Sequence, residues 1–224
     1  MNLYPVAIIE NFYENPDAIR EFALKQEYTY CHERKNVEYV YPGSRTKDIY
    51  DLDPELQSKI IQKLVSVFHN SEYDYMRWGI STNFQSVTKE YAEGVIHTDT
   101  NTIFAGVLFL SPNAPLDAGT SLYRKGPLFD EGKYKAALAL NEREFREGKI
   151  VMNTAHHDMF EEIVRVNNVY NTLIVYEGRH FHSANKFFGS NIENSRLTQV
   201  FFVNNIDAKK YNVFPIKRVD AIKL

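Results

Sequence analysis

In the stretch VIHTDTNTIFAGVLFLS, His97 and Asp99 stand two residues apart at the mouth of an apolar run. On a strand, positions i and i+2 face the same way, so an imidazole and a carboxylate would both reach one cation while Thr98 turned to the other face. A further ligand must come from elsewhere, and NTLIVYEGRHFHSA reads as a strand ending in two candidates on one face, His180 and His182. Two neutral imidazoles and one carboxylate on one side of an octahedral ion leave three positions open, a donor set that suits ferrous iron. Beyond them, SRLTQVFFV puts Arg196 and Thr198 on one face of another strand, followed by Val200 and Phe202. A guanidinium inside a sheet is costly unless paired, and its planar fork matches a carboxylate, to which the Thr198 hydroxyl could add a bond. The anion expected there is the far carboxylate of a ligand.

Other residues compete for attention. In TAHHDMFEE, His157 and Glu161 would share a face if the segment were helical, a rival metal site; its plainer reading is an acidic helix start. Tyr123 in GTSLYR and Gln85 in STNFQ lie on strands flanking the first motif, where either could hydrogen-bond a co-substrate or substrate. Tyr41 and Arg45 in YPGSR read as a turn with an exposed arginine, with contacts at a site entrance as the alternative.

These residues need a scaffold. Residues 5–13 read as a short strand, Asn15-Pro16-Asp17 opens an amphipathic helix, and Pro54-Glu55 opens a second through Leu56, Ile60, Leu64 and Phe68. From Tyr73 the pattern changes to short β-type runs, including YDYMRWGISTNFQ, GVIHTD, TIFAGVLFLS, IVRVNNV and RLTQVFFVNNI. KYKAALALNEREFREGK interrupts them as an exposed helix. The expected organisation is one domain: a helical N-terminal support over 1–72, a β core over 73–206 with an inserted helix near 130–148, and a tail over 207–224.

With 224 residues, 44% of them hydrophobic, and thirty Tyr and Phe, the chain can fill the core of one mostly β domain. A net charge of −3 without a basic stripe offers nothing to nucleic acid, and no apolar run is long enough to span a membrane. The single cysteine, Cys31, excludes an intrachain disulfide and a cysteine zinc knuckle, which makes a reducing cytoplasm the expected location.

The order His-x-Asp, distant His, then Arg-x-Thr resembles the 2-oxoglutarate- and Fe(II)-dependent dioxygenases. In looser form, NFYENPDAIREFA, YPGSRTKDI and HSANKFFGSNIENSRLTQVFFV look like their prolyl-4-hydroxylase-like branch and its phage and marine bacterial relatives. The resemblance implies a double-stranded β-helix (jelly roll, cupin-like) with the N-terminal and inserted helices packed on one sheet. It implies that His97, Asp99 and His182 bind iron, His182 being preferred to His180 for its His-Ser-Ala context, and that Arg196, helped by Thr198, holds the C5 carboxylate of 2-oxoglutarate. The implied chemistry consumes 2-oxoglutarate and O2, releases succinate and carbon dioxide, and hydroxylates an unactivated C–H bond of a prolyl residue, an amino acid or another small metabolite. A carboxylate at Asp99 favours hydroxylation over halogenation, since related halogenases carry a small residue there. The alternatives are a non-enzymatic jelly-roll binding module and a cupin-like metalloenzyme that does not use the keto acid.

Overall fold

A computed structural model of the chain describes residues 4–34, 40–68, 76–150 and 152–208. Most of the expected C-terminal tail, and the start of the run at Tyr73, lie outside the described residues. Two antiparallel sheets face each other. The larger has seven strands in the order β1 (Val6–Ile9), β8 (Leu173–Glu177), β5 (Phe104–Phe109), β10 (Arg196–Ala208), β4 (Met76–Val87), β3 (Ser44–Arg45) and β2 (Thr29–Tyr30). The smaller has three: β7 (Phe160–Val166), β6 (Thr120–Lys125) and β9 (Phe181–Ala184).

Alternation divides each strand of the large sheet between two cores. Outward side chains such as Phe84, Phe104, Leu108, Leu173, Leu197 and Phe201 meet two N-terminal helices, α1 (Pro16–Leu24) and α3 (Pro54–Phe68). Inward ones, including Ala105, Val107, Phe109, Ile174, Tyr176 and Val200, meet Leu122 and Val166 of the small sheet. Because β5 is covered on both sides, all six of its residues are buried, and its sequence shows a continuous apolar run. The helix starts follow from local chemistry. Asn15 caps α1 by accepting from Ala18 N at 3.1 Å, with Pro16 at the first helical position, and Asp53 accepts from Leu56 N at 2.9 Å at the head of α3.

The third long helix, α4 (Glu131–Arg146), is the inserted helix, and it takes no part in the core that α1 and α3 share with the large sheet. It is also less exposed than its charge suggests. Tyr134 packs with Ile96, Met159 and Phe160, and Phe145 packs with Cys31, Tyr91 and Phe187, so α4 props the loops beside His97. Among the described residues, no helix is long and apolar enough to cross a membrane.

Candidate metal centre

His182 sits on β9 opposite Leu122, facing the space between the sheets. A two-residue bridge extends the small sheet at that point: His97 N donates to His182 O at 3.1 Å and His182 N to His97 O at 3.0 Å. The bridge fixes one imidazole beside the other, with ring centroids 4.4 Å apart. Asp99 is in no strand. Its N–H donates to Gly178 O at 2.7 Å, and its own carbonyl accepts from Thr102 N at 3.1 Å. His97 and Asp99 face one point, as their two-residue spacing suggests, and the Asp99–Thr102 turn that follows holds the carboxylate there.

Both imidazoles are oriented the same way. Nδ1 of His97 lies 2.8 Å from Val95 O, and Nδ1 of His182 lies 2.8 Å from His180 O. A carbonyl only accepts, so each Nδ1 carries the proton and each Nε2 presents a lone pair. Those Nε2 atoms lie 3.7 Å (His97) and 3.4 Å (His182) from the two oxygens of Asp99, and one ligand atom from each residue falls within 4.8 Å of the others. Ligands at right angles around a cation with bonds of about 2.1 Å stand about 3.0 Å apart, so an ion needs only small adjustments to bind all three. The electrostatics agree. Burial, then the neighbouring His182, holds His97 below the usual imidazole range. Burial alone would raise the Asp99 carboxyl, but His182, His97 and Arg45 outweigh it and hold it at about 2. At neutral pH the set includes a neutral His97 and an ionised carboxylate.

The inner face of the large sheet continues the site. The register aligns Thr198 with Gln85 and Phe109, and Val200 with Asn83 and Val107, so Arg196, Thr198, Asn83 and Gln85 share the inward face. Arg196 is 4% exposed; its Nε donates to Ala118 O at 3.0 Å and its Nη2 to Gly119 O at 3.3 Å and Thr120 Oγ1 at 3.2 Å. Among the described residues no carboxylate pairs with it, and burial pulls its pKa down to about 10, partly opposed by Tyr176. Thr198 Oγ1 and Asn83 Oδ1 are buried without a hydrogen-bond partner. A sequestered cation with an orphaned hydroxyl on the same face is what a bound polar anion would satisfy, while Asn83 Oδ1, an acceptor, would take a donor. Tyr176 links the two halves: its ring lies 4.6 Å from that of His182, burial pushes its phenol well up, and the charges of Asp99 and Arg196 act on it from opposite directions. Sequence reasoning missed this residue, although it is inward by the same alternation as Ile174.

Other candidates fall elsewhere. Tyr123, expected near a co-substrate, lies on the outer side of β6 with Glu93, His157 and Arg165, because Leu122 takes the inward position. Gln85 is inward, but its amide is engaged, donating to Pro42 O at 2.8 Å and accepting from Arg45 Nη2 at 3.2 Å. His180 is not on the His182 strand face; it precedes β9, 3.4 Å from Glu177 and with its ring tilted against that of Tyr4 at 5.0 Å. His157 and Glu161 do not form a metal pair, since the chain passes there from a 3₁₀ turn (Ala155–Met159) into β7, and Glu161 bonds Arg124. His157 has a different use: its Nε2 accepts from Ile96 N at 3.1 Å, while His156 Nε2 lies 3.3 Å from Ile96 O, so the two rings clamp the peptide that precedes His97.

Gly178 sets the position of Asp99. A Cβ there would meet Thr102 O at 2.5 Å and Asp99 O at 3.0 Å, both backbone atoms of the turn that aims the carboxylate. Gly178→Ala should weaken divalent-metal binding about tenfold or more, as loss of ligand support does, and lower stability by about 1–3 kcal/mol. Competition titration against a chromogenic chelator, alongside urea unfolding, checks both.

Residues 2–203 match the family described as "Family of unknown function (DUF6445)". Among proteins with curated descriptions, none is similar enough in sequence to count as a match. Solved structures are similar in shape. A prolyl hydroxylase of Trichoplax adhaerens, in complex with a hypoxia inducible factor peptide fragment, aligns with a TM-score of 0.52 at 10% identity, covering 89% of this chain and 83% of its own. HygX of Streptomyces hygroscopicus, with nickel, 2-oxoglutarate and hygromycin B bound, aligns at 0.54 and 10% identity over 90% and 83%. EvdO2 of Micromonospora carbonacea var. aurantiaca, complexed with 2-oxoglutarate, aligns at 0.50 and 12% identity over 95% and 91%. At such identities the likeness concerns the fold, the double-stranded β-helix of 2-oxoglutarate- and iron-dependent oxygenases. On that scaffold, and with nine-tenths of its length matched, the chain belongs to the DUF6445 family.

Proposed function

We propose that the protein is an Fe(II)- and 2-oxoglutarate-dependent oxygenase that hydroxylates an unactivated C–H bond. The observation that carries this reading is the convergence of His97, Asp99 and His182 on one point, with an unpaired Arg196 buried on the adjoining inner face. His97, Asp99 and His182 would hold the iron. Arg196 and the free Thr198 hydroxyl would take the far carboxylate of 2-oxoglutarate. With O2, the bound iron and keto acid supply oxidative decarboxylation coupled to insertion of a hydroxyl group. The chain's own contribution is positional: Val95 and His180 carbonyls orient the imidazoles, Gly178 holds the Asp99 turn, and Val107, Leu122, Ile174 and Val200 keep bulk water from the inner face.

The ionised Asp99 favours hydroxylation over halogenation. The substrate is a prolyl residue in a peptide, an amino acid or another small metabolite; the prolyl-hydroxylase-like branch is supported by the fold likeness to the Trichoplax enzyme. A cytoplasmic location belongs to the same reading, in keeping with the buried, unbridged Cys31. Anaerobic addition of Fe(II) and then 2-oxoglutarate should produce a visible charge-transfer band that saturates at one keto acid per chain. No band, together with no heat of binding for either component, would favour the non-enzymatic jelly-roll module instead.

A further inference from the structure

Arg45 is a second guanidinium on the same inner face, partly buried with its Nε enclosed, and nothing in the oxygenase reading uses it. It pairs across β3 with Gln85, which pairs with Thr198, so it faces the chamber two strands from β10, about 10 Å away at the usual strand spacing. The Pro42–Gly43 bend expected in YPGSR is present, but its arginine is on a strand and half-buried rather than exposed. The backbone of Arg45 is tied down, because Arg34 Nη2 donates to Arg45 O at 2.6 Å and Thr46 O at 2.8 Å while Arg34 Nε bonds Thr29 Oγ1. The guanidinium itself lies over the Tyr41 ring at 4.2 Å and near the Phe202 ring at 5.4 Å.

Only one of its hydrogen-bond donors meets a described residue, through Nη2 to Gln85 Oε1 at 3.2 Å; Nε is buried with no partner, and no carboxylate pairs with it. A guanidinium so placed is expensive unless an anion arrives. Its positive charge acts on Asp99 and on His97, whereas that of Arg196 acts on Tyr176.

We propose that Arg45 recognises a carboxylate of the substrate, so that the molecule to be hydroxylated is an acid whose carboxylate meets the free edge of the Arg45 fork, with its reacting C–H toward the metal. Gln85, held by Pro42 O, fixes one side of the fork, leaving the planar edge that matches a carboxylate by two parallel bonds. The proposal rests on the oxygenase reading, and its test separates the two.

The full chain, labelled with 15N at arginine Nε and loaded with Zn(II) in place of iron, gives an Nε–H resonance for each ordered arginine. Arg45→Lys and Arg196→Lys assign two of them. Addition of 2-oxoglutarate should move the Arg196 signal and leave that of Arg45. Acetate, added next as the simplest carboxylate, should move the Arg45 signal along a saturable curve, and acetamide should not. If 2-oxoglutarate moves neither signal, the oxygenase reading falls and takes the substrate assignment with it. If it moves Arg196 alone but acetate leaves Arg45 in place, only the assignment of Arg45 falls. A shift of Arg45 by 2-oxoglutarate itself would make it a co-substrate residue and overturn the proposal.

Discussion

Asp99→Ala and His182→Ala should each lower Fe(II) affinity by more than about 100-fold and remove the slow succinate formation that 2-oxoglutarate oxygenases show without substrate. The two ligands are lost for different reasons. Asp99 is the one anion of the set, held at about 2 by its imidazole neighbours, so its removal leaves a divalent cation with neutral donors only. His182 is the most enclosed ligand, its side chain 5% exposed between Tyr176 and Leu122, so water cannot readily take its place. Neither change should unfold the chain. The bridge between His97 and His182 is made by main-chain atoms, as is the contact between Asp99 and Gly178, and both survive loss of the side chain. Metal content after dialysis, succinate yield and thermal unfolding, measured on the same samples, separate loss of ligand from loss of fold. Unchanged turnover in both variants would reject the three-residue site.

Much of this centre is legible wherever a single strand carries the information. Arg196, Thr198, Val200 and Phe202 do share a face, because β10 runs unbroken through all four, and the helix starts at Asn15 and Pro54 are set by capping chemistry written in adjacent residues. Alternation stops being informative where a turn intervenes. NTLIVYEGRHFHSA was one strand on paper, yet the chain turns after Glu177 and resumes at Phe181 in the other sheet, so His180 and His182 part company. The Asp99–Thr102 turn and the close approach of Gly178 hold the Asp99 carboxylate in place, and no two-residue period encodes that approach. Arg45 and the His156–His157 clamp depend on partners 40 and about 60 residues away, Gln85 and Ile96, which local pattern cannot supply. Tyr176 was within reach of pattern reasoning: inward alternation from Ile174 leads to it directly.

Arg196→Met should cost about 2–5 kcal/mol of 2-oxoglutarate binding, a loss of thirtyfold or more, with little change in the stability of the ligand-free protein. The second half of that expectation comes from two opposing effects. Removing the guanidinium orphans Ala118 O, Gly119 O and Thr120 Oγ1, which accept from it now, and each buried acceptor left bare costs about 1–3 kcal/mol. Against this, the wild-type protein buries a cation with no carboxylate beside it, a burden that methionine of similar length lifts while keeping contact with Phe109 and Phe187. Binding has no such compensation, since the keto acid's far carboxylate would meet the Thr198 hydroxyl without the guanidinium beside it. A thermal-shift series with Zn(II) and rising 2-oxoglutarate reads both quantities at once: the wild-type unfolding temperature should climb with ligand, and the variant's should start close to the same value and stay flat. A cupin-like enzyme that ignores the keto acid would instead show no climb in either protein, and Arg196 would then be a structural cation whose loss registers only in the ligand-free baseline.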